Sequence, residues 1–210
     1  TGITIPASVT SVGYHAFFDT ATTVTVDLPA RPAGWDAEWA GPGITVLWKQ
    51  SSVPPAKAAA KPAPKPAKPA SAPKPPAPKP AAAAKSAPQA AAPKSPVSSG
   101  FWIKDGVLVR YNGPGGDVVI PAGVKRIIDK DAILGGAFGK RTDITSVTFP
   151  EGMERIGSNA FVECTGLRRI VLPVGLQEIG SNAFAGCTGL TQIALPNSLK
   201  EIGSYAFAWC

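Results

Sequence analysis

Three cysteines, Cys164, Cys187 and Cys210, recur at intervals of 23 residues. Thiols serve as metal ligands, disulfide partners or nucleophiles, and the spacing helps to separate these uses. Zinc sites draw their thiolates from short CxxC-type pairs, which this interval does not supply. A disulfide needs Cβ vectors that approach each other. Equivalent side chains in stacked repeats instead stand side by side, about 5 Å apart and pointing the same way. A column of buried free thiols acting as small hydrophobes is therefore expected.

Other reactive groupings yield to similar tests. GGAFGKRT, residues 135 to 142, approaches a phosphate-binding loop, but that loop needs GxxxxGK[ST]. Here three residues separate Gly135 from Gly139, and Lys140 is followed by Arg141. Asp129 and Asp131 make a carboxylate pair with no third catalytic partner, as a solvated loop would. His15, the one histidine, is expected at the surface beside Ala16. GPGGD, residues 113 to 117, reads as a turn. No catalytic residue, cofactor site or metal site emerges, and the chain is not expected to be an enzyme.

The elements that carry these residues come from a repeat, [IV]x[FL]Px[GS][LM]xxIGxxAFxxC, running from Val147 to Cys164, Ile170 to Cys187 and Ile193 to Cys210. A fixed period of this length signals a solenoid, in which each unit buries its apolar side only against its neighbours. Ile3, Ile5, Pro6, Val9, Val12, Gly13, Ala16 and Phe17 hold the same phase near the start, and Val26, Leu28 and Pro29 begin another unit. Val118, Ile120, Pro121, Val124 and Ile127 open a copy carrying an insertion of six residues before Phe138. Within each unit LxxIxLP reads as a short strand that proline ends, because proline cannot donate to the ladder. IGxxAF is then expected to supply a short helical or 3₁₀ turn.

LxxIxLP, at Leu167 to Pro173 and Leu190 to Pro196, followed by GLxxIGxxAFxxC, resembles the BspA-type leucine-rich repeat of bacterial surface proteins, some of which are adhesins. The resemblance covers most of the chain outside residues 50 to 99. It implies an α/β solenoid of leucine-rich-repeat arrays, about 23 residues per repeat, and an extracellular or cell-surface location. It carries over no catalytic residues.

Charge and proline divide the chain. Residues 51 to 98 hold 14 of the 23 prolines and eight lysines, with no Asp or Glu. Removing those eight lysines from the 21 basic residues leaves 13 against 14 acidic ones, so the net charge of +7 belongs to this stretch. Dense proline holds neighbouring residues extended, and too few large apolar residues are present to offset ordering entropy. Residues 50 to 99 are expected to form a disordered spacer between two arrays. Residues 1–49 then read as the C-terminal end and cap of one array, and residues 100–210 as an N-terminal hairpin cap and the truncated start of a second. Trp35, Trp39 and the strand ending at Trp48 suit the first cap, in preference to a sugar-stacking platform at Trp35 and Trp39. Asp105-Gly106 marks a type I′ hairpin for the second. The chain reads as a fragment, and no apolar run approaches the roughly 18 residues of a membrane helix.

The function expected is a non-catalytic scaffold that offers its strand face to a host or neighbouring-cell protein or glycan. Positions between the inward strand residues are the candidate binding face: Asp117 and Val119, Ser146 and Thr148, Arg169 and Val171, Gln192 and Ala194. Two alternatives stand beside it. The arrays could be accessory modules of a larger secreted enzyme, or the linker lysines could bind a polyanion. An anionic wall polymer suits such lysines better than nucleic acid, since arginine and interleaved aromatics are lacking, and no specific nucleic-acid partner is expected.

Overall fold

The computed structural model of the chain describes residues 2–20, 23–49, 100–129, 136–191 and 193–210. The described residues all fall within one compact unit, Thr1–Ser51 with Lys94–Cys210. The whole of the expected spacer at 50–99 lies outside the described residues.

Thirteen strands are described, most of them short: β1 (Gly2–Ile5), β2 (Ser11–Val12), β3 (Thr23–Val26), β4 (Thr45–Trp48), β5 (Phe101–Lys104), β6 (Val107–Tyr111), β7 (Gly116–Val119), β8 (Arg126–Ile127), β9 (Ile144–Thr148), β10 (Arg155–Ile156), β11 (Arg169–Val171), β12 (Glu178–Ile179) and β13 (Glu201–Ile202). Each coil of the solenoid contributes to two faces. The first face holds strands of three to five residues, in sheets ordered β7-β9-β11 and β1-β3-β4. A parallel bridge pairs Thr4 of β1 with Ala194, which follows β11 in the chain. The second face is one seven-stranded sheet, β5-β6-β8-β10-β12-β13-β2. All its pairings are parallel except the β5–β6 hairpin.

Strand alternation drives the core. Val118, Val147 and Ile170 share one register position across the first face, and Leu108, Ile127, Ile156, Ile179, Ile202 and Val12 line the second; all are buried. Between the faces runs a column of five phenylalanines. Phe138, Phe161, Phe184, Phe207 and Phe17 stack with centroids 4.6, 5.3, 5.4 and 5.4 Å apart and planes within 13°. Stacked pairs add about 0.5 to 1.5 kcal/mol each beyond the area they bury. Tyr111 covers one end of the column at 5.2 Å from Phe138, and Trp39 the other, edge-on to Phe17 at 5.9 Å.

The segment after each IG departs from expectation. No α-helix or 3₁₀ helix occurs among the described residues, so the described solenoid is β and not α/β. The backbone shows why. Asn159, Phe161 and Glu163 donate their N–H groups to the carbonyls of Ser181, Ala183 and Ala185 in the next coil, while Ala160, Val162 and Cys164 close turns onto Gly157, Asn159 and Phe161. Asn159 and Glu163 stand at φ 58° and 56°, which no right-handed helix admits. Alternate donors thus point sideways into the stack, where a helix would turn them along its axis.

Residues 1–49 and 100–210 read as two arrays in the sequence, and the structure stacks their described residues in one unit. β2 pairs in parallel with β13, Ser11 opposite Glu201 and Val12 opposite Ile202. An open coil exposes a cross-section of core. Residues 2–20 share the phase of the coil ending at Cys210, so Phe17 and Val12 extend its columns and cover it.

The ends are closed as their residue types suggest. Trp35 and Trp39 are 2% and 4% exposed. Trp35 Nε1 donates to the Val9 carbonyl at 3.2 Å. Buried in this way, the two rings are a lid on the core and offer no face for sugar stacking. At the other end Asp105 and Gly106 join β5 to β6 at φ 50° and 73°, the paired positive values of a type I′ turn.

Candidate functional site

Because a strand turns alternate side chains to opposite faces, burying Val118, Val147 and Ile170 leaves their neighbours outward. Asp117, Ser146 and Arg169 stand in one row across β7, β9 and β11, and Val119, Thr148 and Val171 in the next. Asp117, Thr148, Arg169, Val171 and Ala194 are exposed, while Val119 and Ser146 are half-buried. Gln192 lies outside the described residues. The Thr4–Ala194 bridge carries the second row onward, to Thr25 on β3 and Leu47 on β4. The outward face therefore gains Thr4, Thr23, Thr25, Thr45 and Leu47, residues that an assignment to two arrays kept apart from it.

The electrostatics of this face are sparse. Ser146 Oγ donates to Asp117 Oδ1 at 2.6 Å and Thr145 Oγ1 to the same oxygen at 3.2 Å, so neighbouring hydroxyls engage the one carboxylate. Arg169 enters no ion pair among the described residues. Arg169 stands two strands, about 10 Å of backbone spacing, from Asp117 along the row, and its guanidinium offers planar, paired donors to a carboxylate, sulfate or phosphate. Val171, 56% exposed, adds an apolar contact beside it.

The second face carries more charge. Arg126, Arg155, Glu178 and Glu201 follow one another in register. Arg155 Nη2 lies 2.9 Å from Asp129 and 3.2 Å from Glu178. Burial, with the charge of Glu201, raises the Glu178 carboxyl against the pull of Arg155. Burial also tends to raise Asp129, but the Ser158 N–H and Arg155 outweigh it and hold that carboxyl below its ordinary value. Asp129 is thereby tied into the stack, in contrast to the solvated loop expected; Asp131 lies outside the described residues. Strands of two residues are too short for alternation to reveal them, and the signal that could have found them is the charged residue before each IG.

The remaining candidates resolve into packing. Ala137 and Phe138 of the Gly135–Thr142 stretch are 3% and 1% exposed. Arg141 is held by Asp143 at 2.6 Å and donates to the Gly113 carbonyl at 2.8 Å, so residues 136–142 belong to a coil of the solenoid; Gly135 lies outside the described residues. In the GPGGD stretch, the Pro114 carbonyl accepts the Tyr111 hydroxyl at 2.8 Å. His15 is half-buried where a surface residue was expected, with its ring stacked 3.8 Å from Tyr14. Cys164 and Cys187 are buried free thiols and Cys210 is a partly enclosed one. Each donates to the carbonyl of a phenylalanine one coil back: Phe138, Phe161 and Phe184, at 3.0, 3.2 and 3.1 Å.

Comparison with known proteins agrees with the repeat. Residues 131–210 match the profile of the BspA type leucine rich repeat region, in six copies. A solved leucine-rich repeat protein of T. pallidum is 32% identical, over 55% of this chain and 67% of its own, with a TM-score of 0.46. One from Bacteroides ovatus is 28% identical, over 56% of this chain and 31% of its own, with a TM-score of 0.43. A leucine-rich cell surface protein from Faecalibacterium prausnitzii is 21% identical, over 99% of this chain and 50% of its own, with a TM-score of 0.44. The chain thus spans half or less of the length of the last two. No curated protein matches it at a significant level. With the repeat recurring in phase from Ile3 to Pro29 and from Val118 to Cys210, the chain belongs to the BspA-type leucine-rich repeat proteins.

Proposed function

We propose that this chain is a non-catalytic binding scaffold, secreted or held at a cell surface, whose outward strand face engages a host or neighbouring-cell protein or glycan. One observation carries the reading: the outward positions of β7, β9 and β11 form two in-register rows with an unengaged arginine among threonines and small apolar groups. Such a face combines a directional donor with surface that is inexpensive to desolvate, the mixture found where arginine anchors an interface. Among the described residues no helix is long and apolar enough to cross a membrane.

Replacing Arg169 by Glu tests the reading. Attachment to immobilised matrix protein or cell-surface glycan is expected to fall, with the thermal midpoint nearly unchanged, since an exposed charge contributes within about 0.5 kcal/mol to stability. Attachment that survives the reversal but is lost on deleting residues 51–98 would transfer the site to the eight lysines there. A strong dependence on salt would then mark polyanion binding.

A further inference from the structure

Five rings crowd the turn edge where the coil of residues 193–210 meets that of residues 2–20. They fall into two sets. Tyr14 and His15 lie 3.8 Å apart with planes at 17°, and His15 and Phe18 5.0 Å apart, also at 17°. Tyr205 and Trp209 are parallel to within 5° at 5.9 Å. The sets meet nearly at right angles: 73° between Tyr14 and Tyr205, 73° between Phe18 and Trp209, 86° between His15 and Tyr205. The result is an aromatic corner whose rim is wet, Tyr14 being 38% and Trp209 45% exposed.

The backbone beneath it is strained. His15, Tyr205 and Trp209 stand at φ 50°, 55° and 56°, a region where bulky side chains are uncommon. Corresponding positions of the inner coils hold Asn159, Asn182, Glu163 and Gly186 at similar angles. Ser158 and Ser181 occupy the place of Tyr14. Only this edge, among the described residues, mounts aromatic rings on the left-handed positions, and strained outliers of this kind gather at binding sites.

Charge identifies the occupant. An open cleft of about 540 Å³, lined by His15, Glu38, Trp39 and the Gly41–Pro42 turn, meets the corner at His15. The Glu38 carboxylate, 65% exposed, stands 3.5 Å from His15 Nε2. Asp36 follows closely, its carboxylate accepting the Glu38 N–H at 2.8 Å. Desolvation first, then the charge of Glu38, raises the Tyr14 phenol. Ring faces are negative and attract cations, and no lysine or arginine pairs with Glu38 among the described residues. A primary ammonium brings three N–H donors that each need an acceptor; the rings offer none, and Glu38 already faces His15. A cation without N–H groups makes no such demand.

We propose that this corner binds a quaternary ammonium group of the choline type, its methyl groups against Tyr14, Tyr205 and Trp209 and its charge facing Glu38. The site is separate from the strand face and does not depend on it.

Titration of the whole chain with choline chloride, followed by amide and indole chemical shifts, tests this. Ethanolamine, glucose and sodium chloride at the same concentrations serve as comparisons. Choline is expected to give saturable shifts confined to Tyr14, His15, Tyr205 and Trp209, while the other three solutes give none. Trp209→Ala and Glu38→Gln are each expected to weaken choline binding about tenfold, with the thermal midpoint of Glu38→Gln unchanged. Glu38→Gln keeps the test valid should Trp209→Ala disturb folding. Absence of choline shifts, or choline affinity unchanged in Glu38→Gln, overturns the proposal. An equal response to ethanolamine reduces it to charge attraction, and saturation by glucose alone makes the corner a sugar platform; either result overturns it as well.

Discussion

The Sγ of Cys187 lies 3.2 Å from the carbonyl oxygen of Phe161, one coil back in the stack, and donates to it. That oxygen also accepts the Cys164 N–H, so the cysteine column ties each coil to its neighbour at the end of the turn. Burial pushes the Cys164 thiol up to about 11 and Cys210 up to about 12, and raises Cys187 as well. The thiolate is the reactive form. A thiol reagent at about pH 8, below the ordinary thiol range, is expected to leave the native chain unlabelled, Cys210 being the least protected, and to label all three thiols after denaturation. Rapid native labelling of Cys187 would contradict the column.

The same shift predicts an alkaline weakness. An unfolded thiol ionises near 9.0, whereas Cys164 in the stack does so at about 11. Above the lower value the unfolded state has lost a proton that the native state keeps. The contribution is therefore complete below pH 9 and is lost progressively as pH rises to about 11. Denaturant midpoints measured across that range should fall less steeply for Cys164→Ala than for the native chain. Parallel slopes would show that Cys164 is not enclosed.

Phe184 stands mid-column, 5.3 Å from Phe161 and 5.4 Å from Phe207, and is fully buried. Truncating it removes two stacked contacts and leaves a cavity that rigid neighbouring coils cannot fill. Phe184→Ala is expected to cost about 3 to 5 kcal/mol in chemical denaturation. A loss below about 1 kcal/mol lies outside the range of buried aromatic truncations and would displace the register.

Gly180 sets the approach of two coils. A Cβ there would stand 2.6 Å from the Ser158 nitrogen and 2.8 Å from the Gly157 carbonyl carbon. These are backbone atoms, which cannot swing aside as a side-chain tip can. Gly180→Ala should destabilise by about 1 to 3 kcal/mol through overpacking, although helix propensity alone would favour alanine. A stabilised variant would mean that the segment is helical after all.

These contrasts mark what could be read from the residues. The period, the thiol column and the inward positions of the first face were legible because alternation and a fixed repeat report local burial. The hairpin at Asp105-Gly106 was legible because both residues accept positive φ. The turn after each IG was misread as helical, since AF three residues on from Gly looks like a helical face. Its real determinant is the line of carbonyls that the next coil supplies, and no single repeat displays it. The aromatic corner was hidden for a related reason: Tyr14 and Tyr205 come from opposite ends of the chain and meet only when β2 joins β13.

That junction yields the most discriminating expectation. Gly13 donates to the Ile202 carbonyl at 2.7 Å, Tyr205 to Tyr14 at 3.0 Å, Phe207 to Ala16 at 2.8 Å and Trp209 to Phe18 at 2.9 Å. All four amides cross between residues 2–20 and 193–210. If the two segments formed separate arrays, the amides of Tyr205, Phe207 and Trp209 would face solvent at an open end and exchange within the time of fraying termini. In the single stack they sit among buried side chains and should exchange as slowly as Phe184, whose N–H donates to Ala206. Native-state hydrogen exchange on the whole chain therefore decides the question. Protection of Tyr205, Phe207 and Trp209 that disappears when Val12→Asp removes the apolar partner of Ile202, while Phe161 stays protected, is the expected result. Fast exchange at those three amides in the unaltered chain would return residues 1–49 and 100–210 to two independent arrays and dissolve the aromatic corner with them.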